Sequence, residues 1–228
     1  MLFDNRQQAG KALARRLKEY NRKNTVVLSL PRGGVPVGFE IAKVLGAPLD
    51  VLVARKVSPP GNPEFGIAAV SESGVRVIDE NTVDFLGISP EELEELIYAE
   101  FAQVRLRIQK YRAGKNLPKL RGKTVVLVDD GLATGVTAGA AIASVKLLSP
   151  KKIIFAVPVC SADTAGNLKG EVDELLCLHA PIDFIAVGRW YLDFKQTSDH
   201  EVIDLLNNSK RLVRVEKVEE SPHYPRAV

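Results

Sequence analysis

Cysteine is scarce in this chain: Cys160 and Cys177 are the only two in 228 residues. Both lie in apolar segments with no metal-type Cys/His spacing, so they read as buried, reduced thiols. His179, His200 and His223 are scattered and form no HExxH pattern, which argues against a zinc site. No apolar run approaches the roughly 18 residues of a membrane span. The opening stretch MLFDNRQQAGKALARRLKEY has no apolar leader and reads as an amphipathic helix, making the cytoplasm the expected address. A net charge of +3 is too small to argue for nucleic acid. There is neither a GxGxxG fingerprint nor a Walker A Gly-Lys-Ser/Thr. No internal repeat or low-complexity tract is present.

What is present is a chain with 46% hydrophobic residues, enough for a full core in one large domain. TVVLSL (25–30), PLDVLVARK (48–56), TVVLVDD (124–130), KKIIFAVPV (151–159) and DELLCL (173–178) are apolar runs that alternate with helical segments. That alternation predicts an α/β fold: a central parallel sheet with helices on both faces. Residues 57–121 interrupt the pattern and read as an insertion. IAAVSES and VRVIDE form a hairpin turning at Gly74. A long helix then starts at Ser89, with Pro90 at its first position and Glu92 completing a capping box. Its apolar face runs through Leu93, Ile97, Phe101, Val104, Ile108 and Tyr111 until Gly114 stops it. The domain is expected over 1–208, with a small C-terminal hood at about 170–196 and a peripheral tail over 209–228.

One local charge run stands out. RLRIQKYRAGKNLPKLRGK (105–123) has eight basic residues and no acid. Following the acidic SPEELEELIYAE, it reads as complementing a helix dipole, with contact to a polyanion or partner as the alternative.

The stretch VVLVDDGLATGVTAG (125–139) carries the chemistry. It sends a buried strand into Asp129 and Asp130 and then into a glycine-bracketed turn. In an open parallel sheet, ligands sit at the carboxyl ends of the strands. The turn offers backbone N–H groups, the Thr134 and Thr137 hydroxyls, and Gly135 for close approach, all leading into a helix N-terminus. That is a phosphate cradle. Carboxylates one step before it suit the vicinal hydroxyls of a sugar phosphate, and a capping or turn role explains one aspartate better than two.

VVLVDDGLATGVTA resembles the 5-phosphoribosyl-1-pyrophosphate signature of the type I phosphoribosyltransferases. The resemblance covers roughly 24–56 and 122–206. It implies a Mg²⁺-dependent enzyme that moves phosphoribose to a nitrogenous acceptor and releases pyrophosphate. It implies that Asp129 and Asp130 fix the ribose hydroxyls, directly or through the metal's water shell. Leu132, Ala133, Thr134, Gly135, Val136 and Thr137 would hold the 5′-phosphate. The loop Pro31, Arg32, Gly33 and Gly34 stands where the family keeps its pyrophosphate loop, often with a non-proline cis peptide, here expected between Pro31 and Arg32. Arg55 and Lys56 match the basic pair that meets pyrophosphate in orotate- and adenine-type members. An ordinary turn and a solvent-reaching strand end are the plainer readings of these two segments.

The acceptor is left open. Hypoxanthine-guanine members carry an acid where this chain has Ala133, whereas FIAVGRWYLDF (184–194) resembles the hood of purine-type members with one residue more between glycine and aspartate. That resemblance brings Val187, Trp190 or Tyr191 onto a base and Asp193 toward the metal-pyrophosphate; a core-capping role for the aromatics is the alternative. The loop VSPPGNPEFG (57–66) stands where the family places a closing segment, with Glu64 as its carboxylate, or it is only a connector. Family habit implies a homodimer. The competing reading is a non-catalytic phosphoribosyl-pyrophosphate or nucleotide sensor. A dehydrogenase-like nucleotide binder is disfavoured by the missing glycine fingerprint.

Overall fold

A computed structural model describes residues 2–20, 24–62 and 65–219. Five parallel strands form the central sheet in the order β2-β1-β6-β7-β8, with β1 at Thr25–Ser29, β2 at Leu49–Val51, β6 at Thr124–Val128, β7 at Lys152–Val159 and β8 at Glu174–His179. Strand side chains alternate between the two faces, and both faces are apolar. Val27, Val126, Val128 and Ile154 pack with α1 (Arg6–Arg16), α2 (Gly34–Leu45) and α7 (Asp199–Glu219). Val26, Val125, Leu127 and Phe155 pack with α5 (Val136–Leu147) and α6 (Ala162–Leu168) on the other face. This double covering is why the strands read as unbroken apolar runs.

The chain winds outward from β1 to β2 on one side and from β6 through β8 on the other. The sheet's switch point therefore lies between β1 and β6, whose C-terminal ends are neighbours: the Leu30 N–H donates to the Val128 carbonyl at 2.8 Å. Ligands of open α/β sheets bind in such a crevice.

The segment 48–56 departs from the expected single strand. It breaks at Leu52 and Val53, so that β3 (Ala54–Val57) leaves the central sheet and pairs antiparallel with β4 (Ala68–Ser71), which pairs with β5 (Arg76–Ile78). Both break residues are fully buried, which keeps the apolar run continuous in sequence while the backbone changes partners. The hairpin turns at Gly74, whose φ is +80°. After a short helix α3 (Glu80–Leu86), the expected long helix α4 spans Pro90–Arg112. The Ser89 side chain accepts from the Glu92 N–H at 3.1 Å. Ser89→Ala is expected to cost about 1 kcal/mol in urea unfolding; an unchanged midpoint would remove the cap from this account.

Two further expectations need correction. Helix α7 runs straight through the boundary set at residue 208 and reaches Glu219, and Ser209 within it is buried. Cys160 is buried, but Cys177 is only half-buried; both are free, with the Cys160 thiol 2.8 Å from the Cys177 sulfur. Among the described residues, no helix is long and apolar enough to cross a membrane. None of their His, Cys, Asp or Glu side chains forms a group of three or more suited to a metal ion.

Candidate active site

Asp129 and Asp130 follow the last residue of β6, at the switch point. Both are half-buried, and the Asp130 N–H donates to Asp129 Oδ1 at 2.9 Å, which orients the first carboxylate. Burial pushes the Asp129 carboxyl well above the usual carboxylate range, and the adjacent Asp130 charge adds to it. Burial raises Asp130 too, opposed by the guanidinium of Arg6. The setting disfavours two bare charges side by side, so a cation or a set of hydroxyl donors at the pair is favoured.

The Pro31–Gly34 loop ends β1 and faces this pair. Its Pro31–Arg32 peptide is cis, as the resemblance implies. A methyl group on Gly33 would lie 2.0 Å from Asp130 Oδ2, and one on Gly34 would lie 2.7 Å from the Val128 carbonyl oxygen. The two glycines thus let backbone close directly on the carboxylates.

Beyond the pair, Leu132 bridges to Cys160 on the neighbouring strand end, and Gly135 caps α5 with φ +75°. Only glycine adopts that conformation readily. The Ala133 carbonyl is held by the Thr164 hydroxyl at 2.5 Å and the Ser161 hydroxyl at 3.2 Å. Ala133 and Thr134 are exposed, while Val136 and Thr137 are half-buried in the first turn of α5. The turn therefore stands open at a helix N-terminus, as a phosphate cradle requires.

The cationic residues come from three elements. Arg32 Nη1 lies 3.9 Å from Asp199 Oδ1 at the start of α7. Arg55, on β3 rather than on the central sheet, pairs through Nε with Glu100 of α4. The Lys56 stem passes over Gly66, where a methyl group would be 2.8 Å from Lys56 Cδ and 3.9 Å from Val136. Arg107, absorbed by the sequence analysis into a helix-end charge run, is the residue it missed. Burial and then the neighbouring Arg55 pull its guanidinium below its ordinary range, with a smaller push from Arg32. One face of α4 thus presents Glu100 to Arg55 and Tyr111 to Asp199, and the Tyr111 hydroxyl donates at 2.5 Å. Burial and that bond push the Tyr111 phenol up to about 12.

The hood departs from expectation. Val187 seats on Gly131, where a methyl group would be 2.5 Å away. Tyr191 does not offer a free face to a base: it is 5% exposed and packs against Phe3 and Phe194. Its hydroxyl donates to the Asp130 carbonyl at 2.6 Å. Trp190 is half-buried with its ring edge-on to His179. Asp193 is half-exposed beside Lys195, with no bond to Asp129 or Asp130. Glu64 lies outside the described residues.

A second missed residue is Arg6. Its Nε donates to Asp130 Oδ2 at 2.7 Å and its Nη1 to the Lys195 carbonyl at 2.8 Å, while the guanidinium lies 3.9 Å over the Phe194 ring. Phe3 hydrogen-bonds to Trp190 and Leu192, so the N-terminal segment and the hood close on Asp130 together. A polar cavity of about 240 Å³ opens beside them, lined by Asn5, Arg6, Pro36, Asp193 and Thr197.

This geometry has counterparts. Residues 1–193 match the family model described as the phosphoribosyl transferase domain. Two Mycobacterium tuberculosis proteins, from strains CDC 1551 and H37Rv and named as candidate phosphoribosyl transferases, are each 42% identical over 210 residues. The match covers 92% of this chain and 47% of each of them, so the chain spans about half the length of the curated relatives it matches. A crystal structure of a protein from Thermus thermophilus superposes with a TM-score of 0.76 at 39% identity, over 91% of this chain and 99% of that one. By its signature turn, its sheet and these matches, the chain belongs to the phosphoribosyl transferase domain family.

Proposed function

We propose that this protein transfers phosphoribose from 5-phosphoribosyl-1-pyrophosphate to a nitrogenous acceptor and releases pyrophosphate. The observation that carries the reading is the half-buried Asp129–Asp130 pair, set between the Pro31–Gly34 loop and the open turn that begins α5. In the proposed complex the turn amides and the Thr134 and Thr137 hydroxyls bind the 5′-phosphate. The two carboxylates accept from the ribose hydroxyls. Arg32, Arg55 and Arg107 face the pyrophosphate, with Lys56 nearer the turn.

The reaction breaks the bond from the anomeric carbon to the pyrophosphate oxygen and forms a bond to the acceptor nitrogen, which loses a proton. Charge grows on the leaving group as the bond breaks, so preorganised cations contribute most there. Asp129 and Asp130 also suit Mg²⁺. Both offer hard carboxylate oxygens in a buried setting that disfavours two bare charges, and Mg²⁺ commonly uses one or two carboxylates plus substrate phosphates. Its contribution when bound is to neutralise charge on the departing pyrophosphate. With alanine at 133, the turn supplies no side-chain acid or base to the acceptor.

Calorimetric titration tests the reading. The expected result is one phosphoribosyl pyrophosphate per chain, bound more tightly with Mg²⁺ than without and more tightly than ribose 5-phosphate. Absence of binding would end it. Arg107→Gln is expected to weaken phosphoribosyl pyrophosphate about tenfold, some 1.4 kcal/mol, and to leave ribose 5-phosphate unchanged. Equal losses for both ligands would move Arg107 away from the pyrophosphate.

A further inference from the structure

The basic stretch 105–123 divides in the fold. Arg107 lies within electrostatic range of Arg32 and Arg55, whereas Arg112 and the cations after it line a separate cavity of about 690 Å³. Its walls are Glu72 and Ser73 of the β4–β5 hairpin, the end of α4, the segment from Lys115 to Arg121, and Leu147 and Leu148 at the end of α5. Leu120 and Arg121 precede β6, whereas Asp129 and Asp130 follow it. The cavity thus lies about one strand length, roughly 17 Å, from the phosphate site and is no extension of it.

Four cationic side chains, Arg112, Lys115, Lys119 and Arg121, line the cavity against the single carboxylate of Glu72. That carboxylate is already engaged: Oε2 accepts from Arg112 Nη2, and Oε1 accepts from the Val53 N–H at 2.8 Å. Lys115, Lys119 and Arg121 make no ion pair among the described residues. The Arg112 side chain is 4% exposed, and its Nε and Nη1 lack any hydrogen-bond partner. Buried donors left unpaired are costly, and the native exceptions call for a reason. Of these four cations, helix-dipole complementation reaches only Arg112, in the last turn, and does not explain those that follow. Helix α4 ends at Arg112, and the other three cations lie beyond its last turn. Apolar side chains share the lining, Ile108, Leu117, Leu120 and Leu148 among them, with Leu147 left 66% exposed.

Cations beside an apolar wall suit an anion that carries a flat apolar body, and the volume falls within the roughly 300–1,000 Å³ of small-molecule sites. We propose that this cavity is a second, non-catalytic site for a nucleotide. Its phosphates lie among Lys115, Lys119 and Arg121 over Arg112, and its base lies on the Ile108–Leu148 wall. The proposal does not rest on the reading of the catalytic site.

Photolabelling with azido-ATP, followed by peptide mapping, locates the site without reference to catalysis. The expected label falls within 108–121 or on 147–148 and is suppressed by excess ATP. Label confined to 132–137, or no label that millimolar ATP suppresses, overturns the proposal. Calorimetry with ATP gives the second readout. Lys115→Glu, Lys119→Glu and Arg121→Glu, combined on exposed positions, are expected to weaken ATP about tenfold or more. Lys115→Arg with Lys119→Arg keeps affinity within about threefold. Wild-type affinity in the charge-reversed variant overturns the proposal. So does equal binding of ATP and inorganic tripolyphosphate, because the apolar wall would then contribute nothing.

Discussion

Asp130→Asn is expected to weaken Mg²⁺-phosphoribosyl pyrophosphate binding by about 10- to 100-fold, roughly 1.4–2.7 kcal/mol, with the fold intact. The carboxylate sits at the switch point, where one oxygen is held by Arg6 and the backbone carbonyl is held by Tyr191. An amide preserves the shape and removes the charge that the ribose hydroxyls and the metal would meet. Because it also unpairs Arg6, Arg6→Gln is the companion variant: it breaks the same bridge but keeps the carboxylate. A loss confined to Asp130→Asn assigns the effect to the carboxylate. Wild-type affinity in Asp130→Asn would remove this residue from the ligand site.

The other large effect is expected at Gly33. Its φ of −61° suits any residue, so alanine there meets no backbone penalty. The added methyl group would instead lie 2.0 Å from Asp130 Oδ2, the oxygen that Arg6 holds. Either the carboxylate turns away or the Pro31–Gly34 loop retreats. Gly33→Ala should therefore reduce phosphoribosyl pyrophosphate affinity about 100-fold, while costing only about 1–3 kcal/mol of stability, as overpacking does. Chemical denaturation beside the binding isotherm separates the two. A stability loss with unchanged affinity would show that the loop's closeness to Asp130 serves packing alone.

Where the structure is local in sequence, the sequence was enough. The run from Val125 to Gly139 holds strand, carboxylates, turn and helix start together, and each part follows from neighbouring residues. Ser89 likewise starts α4 by a capping rule that acts within a few positions, whereas the helix ends one residue before Gly114, at Ala113 with φ +51°. What escaped depends on contacts between distant positions. Arg6 meets Asp130 across 124 positions, and nothing in the residues around Arg6 announces it. Arg107 sits in a run whose charge alone favoured a helix-end reading. Only the packing of α4 against β3 and α7 brings it within electrostatic range of Arg32 and Arg55. The break at Leu52 and Val53 was hidden because burial continues across it. Tyr191 looked available for stacking because its partner Phe3 comes from the other end of the chain.

Those contacts also give the insertion a place in the account. Its helix carries Glu100, Arg107 and Tyr111 to the side of the crevice where Arg32, Arg55 and Asp199 meet. The insertion therefore contributes to the charge balance of the site as well as to the core through Ile97 and Val104.

The measurement that bears most directly on the central claim is pyrophosphate release from phosphoribosyl pyrophosphate and Mg²⁺, against a panel of purines, pyrimidines and other nitrogen acceptors. Release is expected with one acceptor and not with its neighbours, and is expected to be lost in Asp130→Asn. Saturable binding of phosphoribosyl pyrophosphate with no release across the panel would contradict it and would identify a sensor in its place.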